Sequence, residues 1–486
     1  MTVAQQVARN SIVQLGGRGV SIAASLLTLM LLSRYLGPDV YGQYQVVLAF
    51  LVITNLSDLG VNVIAVRHLT AGERSPDEIM GNLLTLRTGM AVFSTAVAAS
   101  GALILGGRDT GQTVMAILVA SLSFPLTIIA GTYAATFQAN MRMEFIALSS
   151  ITQGWVSLAG MVLVAMSGGG LILMLVAYNV GALASSVVAF IFVRQFVKPR
   201  FLFDRGFIGT LVRQVAPIAG SALLTVSYDR LGVLLLKWFT DNESVGFYGF
   251  AFRSIDLAVP LSVLFVGSAF PVMSRYFASG HTDEFKAMYQ RCHDLLSLGG
   301  MALVTAAVLF AEPLVQLLGG DEYHQAVTCV RVLAMAVPFL WLGVLAEYGL
   351  LAAGRQNVLF FLAGSSVVVN LSANAVLIPV YGKEGAAASM VVTEVAILVA
   401  ALYILGRAVG EVPSFWVAGR LLPVAGVLAL ITYALPLWWV PEALLVGALF
   451  GIAVAALRIV RIEDVRGLLK RAGPPEQVAV EVRMGN

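Results

Sequence analysis

The chain has 486 residues, of which 59% are hydrophobic and only 12% charged, with a formal net charge of +3. Soluble domains carry about a quarter charged residues, so half that density, with a mean hydropathy of +0.88, excludes a water-soluble globular protein. The small positive balance gives no nucleic-acid-binding signal, and two isolated cysteines, Cys292 and Cys329, give neither a disulfide framework nor a zinc site.

Apolar blocks of roughly twenty residues recur along the chain, the length a helix needs to cross about 30 Å of hydrocarbon. In chain order the predicted spans are 12–33, 45–66, 84–106, 113–137, 146–166, 171–193, 214–236, 247–272, 294–318, 329–352, 357–378, 385–406, 417–436 and 439–458. Segments such as 20–33 and 425–435 lack the alternation of a membrane β-strand. The fold class is therefore all-α integral membrane, with about 14 transmembrane helices. The opening MTVAQQVARNSIVQ has no short apolar run followed by a small-residue cleavage site, so the first helix is expected to stay in the membrane.

Lys and Arg set the orientation. Of the 30 in the chain, 23 fall on the side that carries both termini, five on the other (Arg34, Arg108, Lys237, Arg331 and Lys383), and Arg230 and Arg253 within spans. That bias over short loops puts both termini in the cytoplasm of a multi-pass protein of the cytoplasmic (inner) membrane.

The longest basic-side loop, 194–213, follows six spans and precedes six more. The expected organisation is an N-terminal six-helix bundle (1–200), a C-terminal six-helix bundle (201–410), two additional helices (411–460) and a cytoplasmic tail (461–486). A shift of 204 residues lays one half on the other: Arg9 meets Arg213, Gly16 meets Gly220, Gly42 meets Gly246 and Tyr44 meets Tyr248. A shift by six spans makes the repeats parallel, related by an axis along the membrane normal.

Three motifs stand out: Arg34-Tyr35-Leu36-Gly37-Pro38 followed by Tyr41-Gly42-x-Tyr44; Asp321-x-Tyr323-x-x-Ala326; and Asn374-x-x-Leu377-Ile378-Pro379-x-Tyr381-Gly382-x-x-Gly385-Ala386-Ala387, with Glu394 downstream. Through them nearly the whole chain resembles polysaccharide-biosynthesis flippases of the Wzx (O-antigen) type, in the multidrug/oligosaccharidyl-lipid/polysaccharide exporter superfamily. The resemblance implies two six-helix bundles in a V around a central cavity plus two terminal helices, with the first and eighth helices as the portal for the lipid tail. The motifs themselves read as structure: Gly37-Pro38 stops a helix, Gly42 and Gly246 allow close approach, and Pro379, Gly382 and Gly385 make a tight turn.

Ionisable residues inside the bilayer cost roughly 2.5–3.5 kcal/mol each, so they mark interior or wet surfaces. Arginine suits a lipid diphosphate because its planar fork bonds phosphate oxygens in pairs. The candidate phosphate ligands are Arg18, one turn after Gln14 and beside Gly16, Gly17 and Gly19, together with Arg253 and Arg230. Arg253 and Asp256, three residues apart, are placed to neutralise each other, whereas the adjacent Asp229 and Arg230 point differently. Asn55 and Asp58 share a helical face suited to sugar hydroxyls or a cation. Glu347 and Glu394 are candidates for coupling to H+ or Na+, with bracing between helices as the plainer role for Glu394. No phosphate-binding loop for a nucleotide is present, since Gly382-Lys383 is followed by Glu384.

The reading is a flippase for a polyprenyl-diphosphate-linked oligosaccharide in cell-surface polysaccharide assembly, with membrane lipids and polysaccharide polymerase machinery as partners, no nucleic acid and no cofactor. The alternative within the same fold is a cation-coupled multidrug exporter, for which Asp58, Asp229 and Asp256 would serve. A peptidoglycan-precursor flippase would be expected to carry an R-x-x-G-F/L-x-R type run in its first helix, which is not found. An enzyme is not expected, because no loop opposite the basic side exceeds about fifteen residues and the four histidines form no motif.

Overall fold

In hydrocarbon every backbone N–H and C=O needs a partner within the chain, and the protein meets that demand with helices alone among its described residues. The computed structural model describes residues 3–456 except 56–59, 73, 106–110 and 435–437; the side chains of 1–15, 104, 105, 217, 221 and 229 lie outside the description, as does the predicted tail. The helices are α1 (Val3–Thr54), α2 (Val61–Ala71), α3 (Pro76–Leu105), α4 (Gly111–Ser121), α5 (Ser123–Ala139), α6 (Met143–Met166), α7 (Leu171–Val193), α8 (Arg205–Phe239), α9 (Asn242–Asp256), α10 (Val259–Ala278), α11 (Thr282–Leu309), α12 (Ala311–Gly319), α13 (Ala326–Ala334), α14 (Val337–Ala352), α15 (Gln356–Val409), α16 (Trp416–Ala434) and α17 (Trp439–Ala456), with a 3-10 turn at Asp321–Tyr323.

Among the described residues, 11 helical stretches are long and apolar enough to span a membrane, or 12 with the bent α8 counted as one span. Two of these stretches are double. The long α1 breaks at Gly37 (φ 69°) and α15 at Gly382 (φ 56°), where only a residue without Cβ turns the chain cheaply. Separating their limbs brings the tally to the predicted number of about 14. The predicted shared face of Asn55 and Asp58 lies outside the described residues: α1 ends at Thr54, Asn55 still donates its amide to the Leu51 carbonyl at 2.9 Å, and α2 begins at Val61 after Gly60 at φ 72°. Gly60 is required there because a Cβ would lie 2.3 Å from Ile218 Cγ2.

The chain divides into two compact units. The second unit (Ala258–Phe310, Val337–Gln356 and the chain from Leu398 on) holds α10, α11, α14, α16 and α17. There α11 approaches α14 closely, since Gly300 abuts Pro338 and Gly299 abuts Trp341, and Val417 and Leu421 of α16 are buried in a small core. The first unit (Met1–Leu257, Ala311–Ala336 and Asn357–Ile397) holds everything else. In it α6 and α7 pack through small residues: a Cβ on Gly181 would lie 2.0 Å from Ser157 Oγ, and one on Gly160 would meet Ala177.

The first unit is drawn together at its sparsely charged end. A Cβ on Gly42 would sit 1.8 Å from the Asn242 carbonyl oxygen, and one on Gly246 would sit 2.0 Å from the Pro38 carbonyl oxygen. Both pairs obey the 204-residue shift, so the contact is reciprocal across the repeat. Around it the Tyr323 ring, fully buried, packs on Tyr41, Phe247 and Phe250 with centroids 6.1, 5.8 and 4.8 Å away. Arg34 donates to the Gln316 and Leu317 carbonyls at 3.1 and 2.8 Å, and Ser33 to that of Leu318 at 3.1 Å, satisfying the C-terminal end of α12. Lys383 lies 5.5 Å over the Phe247 ring and reaches Gln325 Oε1 at 3.2 Å. All three sequence motifs therefore converge on one seam.

Substituting either glycine forces backbone apart, and overpacking of this kind costs about 1–3 kcal/mol. Gly42→Ala and Gly246→Ala are each expected to lower the melting temperature of the purified protein by several degrees. Gly16→Ala, where a Cβ meets nothing within 4 Å, should leave it unchanged. Equal melting of all three would show that the seam contributes nothing.

Candidate functional site

Directly beneath the seam lies a cavity of about 370 Å³ whose walls come from α1, α6, α7, α8 and α9. On α1 the residues Ser21, Ser25 and Thr28 recur at helical spacing and turn a hydroxyl stripe inward. From α6 come Ser150, Gln153 and Ser157, and from α7 Tyr178. Tyr41, Tyr44 and Gln45 close the top, with Gln45 Nε2 donating to Tyr41 Oη at 2.5 Å. Two guanidiniums complete the wall, Arg230 from α8 and Arg253 from α9.

A second chamber of about 410 Å³ shares Leu48, Val52, Ser150, Gln153 and Tyr178 with the first, so the two adjoin. It is lined by the amides of Asn55 and Asn62, the hydroxyls of Ser123, Thr127, Ser149 and Ser185, and Arg87. Among the described lining residues the two chambers hold three arginines and no carboxylate.

The arginines are held differently. Arg253 meets Asp256 Oδ2 through a single contact at 3.3 Å with both side chains partly exposed, so the predicted pairing exists. It engages one of five guanidinium N–H donors, and the others remain available. Arg230 lies 5.4 Å over the Phe252 ring, and its buried Nε has no hydrogen-bond partner among the described residues. Arg87 is 2% exposed in α3. A Cβ on Gly131 would stand 2.8 Å from its Nη1, so the glycine supplies the space that the guanidinium occupies.

Of the candidates read from the sequence, the cavity brings together Arg230 and Arg253, and Asn55 lines the adjoining chamber. Arg18 is exposed on α1, one turn from Ser21 on the same stripe, outside both chambers. Asp58 lies outside the described residues, and so does the Asp229 side chain. Glu347 is exposed on α14, in the second unit. Glu394, buried on α15, accepts a hydrogen bond from Tyr228 Oη of α8. Next to it Asn374 Nδ2 donates to Asn370 Oδ1 at 2.7 Å, Asn370 Nδ2 donates to Thr393 Oγ1 at 3.3 Å, and Asn374 Oδ1 is buried without a donor among the described residues.

Sequence reasoning missed Arg87, which it counted with a basic loop although it lies inside the predicted span 84–106. It also missed the tyrosines at the top of the cavity. The signal for Arg87 was that position within an apolar run. Burying a guanidinium fixes its neighbours: Gly131→Ala is expected to displace Arg87 and destabilise the protein by about 1–3 kcal/mol. A thermal melt in detergent checks this, and an unchanged melt would mean that Arg87 does not need the space.

Comparison with known proteins follows the geometry. A family described as polysaccharide biosynthesis protein matches residues 7–277, and the MatE family matches residues 217–376. No curated protein matches. Among solved structures, the lipid II flippase MurJ in an inward closed conformation superposes with a TM-score of 0.77 at 11% identity, covering 93% of this chain and 98% of that one. An inward-facing multidrug resistance MATE family transporter gives a TM-score of 0.67 at 11% identity, covering 82% and 98%. A transporter of the MOP superfamily from Pyrococcus furiosus gives 0.61 at 12% identity, covering 84% and 96%, and is described as having a binding pocket of reverse polarity that suggests a different function. At these identities the structural likenesses establish a shared fold.

Proposed function

Because the chain belongs to the polysaccharide biosynthesis protein family, we propose that this multi-pass membrane protein is a flippase that carries a polyprenyl-diphosphate-linked oligosaccharide across the cytoplasmic membrane by alternating access, with its basic side cytoplasmic. One observation carries the reading: Arg230 and Arg253 share a hydroxyl-lined cavity with no described carboxylate in its wall.

In this mechanism the diphosphate sits between Arg230 and Arg253. The Arg253 donors not engaged by Asp256 take phosphate oxygens, and Arg230 offers its Nε, which has no partner among the described residues. Charge-assisted bonds of this kind are roughly twice as strong as neutral ones. The glycan occupies the adjoining chamber, where Asn55, Asn62, Thr127 and Gln153 present amide and hydroxyl groups to sugar hydroxyls. Arg18, on the same stripe toward the basic side, meets the headgroup first. Glu394 supplies coupling: with Asn374 Oδ1 and Thr393 nearby it offers a hard cation oxygen ligands, or takes a proton. Glu347 is the alternative coupling carboxylate.

The MatE match over residues 217–376 keeps a second reading, a cation-coupled multidrug exporter, in view. Three cavity arginines oppose it, since they repel a cationic drug, and the reverse polarity noted for the Pyrococcus furiosus transporter shows that pocket sign varies within this fold.

Translocation of a fluorescent polyprenyl-diphosphate oligosaccharide in proteoliposomes separates the readings. Arg230→Ala and Arg253→Ala are each expected to slow the initial rate about ten- to hundredfold, the loss of one hydrogen-bonded charge, with the lysine variants intermediate. Wild-type protein that is inert toward such lipids but exchanges cationic dyes for protons would overturn the flippase reading. In the same vesicles Glu394→Gln is expected to abolish the dependence of rate on an imposed Na+ or pH gradient. A variant that melts lower but keeps its gradient dependence would reduce Glu394 to a brace.

A further inference from the structure

Between α7 and α8 the chain crosses the basic side as a turn at 194–196 followed by a non-helical run, 197–204, that the transport reading does not use. Its ends are buried: Val193, Val197, Phe207 and Leu211 belong to one core with Ile79 and Leu83 of α3. Between those anchors it is pinned along α3. The Lys198 amide donates to Asp77 Oδ1 at 2.9 Å, the Leu202 amide to the Gly81 carbonyl at 3.3 Å, and the Asp204 amide to Asn82 Oδ1 at 2.6 Å. Leu202 enters a slot that exists because residue 81 is glycine, where a Cβ would lie 2.9 Å from Leu202 Cδ1.

Pinning fixes the register, and extended chain alternates its side chains. Leu202 turns inward against Gly81, whereas Phe201 and Phe203 are 65% and 73% exposed. Arg194, Lys198, Arg200 and Arg205 are exposed as well. The one acid of the segment is engaged: Asp204 pairs with Arg74 at 2.7 Å and caps α8 through the amides of Gly206 and Phe207. The Arg74 guanidinium, with those amides, holds the Asp204 carboxyl below its usual range. The exposed charged and aromatic side chains of the segment are therefore four cations and two phenyl rings, while its own acid is held by Arg74 and the Asp77 carboxylate of α3 is taken up by the Lys198 amide.

The segment starts one residue after a spanning helix ends at Val193, so it lies at the level of the lipid headgroups. Exposed phenyl rings are unfavourable in water and favourable at an acyl boundary, and cations beside them attract anionic lipid. We propose that residues 194–205 form a strap that binds anionic phospholipid headgroups of the leaflet on the basic side and seats Phe201 and Phe203 at the acyl boundary. The strap then fixes the start of α8, the helix that carries Arg230, against the membrane surface.

The test uses the full chain in vesicles, spin-labelled at Phe203→Cys; Cys292 and Cys329 are buried and do not compete. With phosphatidylglycerol present, power saturation is expected to show collision with oxygen and protection from an aqueous nickel reagent. Adding Lys198→Gln and Arg200→Gln should weaken the apparent affinity for phosphatidylglycerol about fivefold per cation. A label open to the nickel reagent at every phosphatidylglycerol fraction would overturn the strap and leave the face to a soluble partner. A second readout needs no label: phosphatidylglycerol, and not phosphatidylcholine, should raise the melting temperature of the wild type in detergent, and Lys198→Gln/Arg200→Gln should lose that rise while melting normally in phosphatidylcholine. Equal response of both proteins would also overturn it. Neither readout involves transport, so the flippase reading stands or falls separately.

Discussion

The arrangement of the first unit depends on two backbones meeting without side chains between them, Gly42 against the Asn242 carbonyl and Gly246 against that of Pro38. Because both pairs are related by one shift of the sequence, the contact is a local two-fold, and each half supplies both a glycine and a carbonyl. Close approach brings α1 and α9 near enough for Tyr323 to be enclosed by rings from both. Gln45 likewise fits beside Gly249, where a Cβ would lie 2.6 Å from its Cγ. The aromatic packing, the Arg34 bonds to α12 and the Lys383 contacts all presuppose that distance.

A guanidinium inside a membrane protein needs a reason, because desolvating it costs several kcal/mol. Packing explains part of it here: Phe252 offers its face to Arg230, and Gly131 makes room for Arg87. It does not explain why three such groups gather along two adjoining chambers with hydroxyls and amides between them. The flippase reading accounts for it, since water, phosphate oxygens and sugar hydroxyls all bond guanidinium, hydroxyl and amide groups, whereas a flat apolar cation would use none of them.

Much of this was legible in the sequence, and the limits were physical. Span length and the cation bias follow from the bilayer, so the helix number and the shared fold could be read directly. The breaks at Gly37 and Gly382 could be read because glycine next to proline, as in Gly37-Pro38, or three residues after it, as in Pro379 to Gly382, has few other uses in a span. Arg230 and Arg253 were legible as charges where hydrocarbon should be. Arg87 was not, because a charge near the end of a predicted span reads equally as loop, and only the space at Gly131, far away in sequence, separates the two. The need for glycine at position 60 escaped for a similar reason: it depends on Gly60 meeting Ile218, a contact between distant segments. Glu394 read as either a coupling group or a brace, and its bond from Tyr228 is compatible with both.

The residues that line the cavity and those that close the seam overlap, and this overlap ties binding to conformation. Tyr41 packs against Tyr323 at the seam, and through its hydroxyl and Gln45 it also forms the roof of the arginine cavity. A ligand shifts a conformational equilibrium only by the difference in its affinity for the two states. On the proposed alternating access, Tyr41, Tyr44 and Gln45 move when Gly42 and Gly246 separate, and a ligand that touches them acquires such a difference. Ligands confined to the Arg87 chamber, which shares none of the three residues, lack that leverage. On the flippase reading, the diphosphate held under the seam is therefore better placed than the glycan to govern when the seam parts.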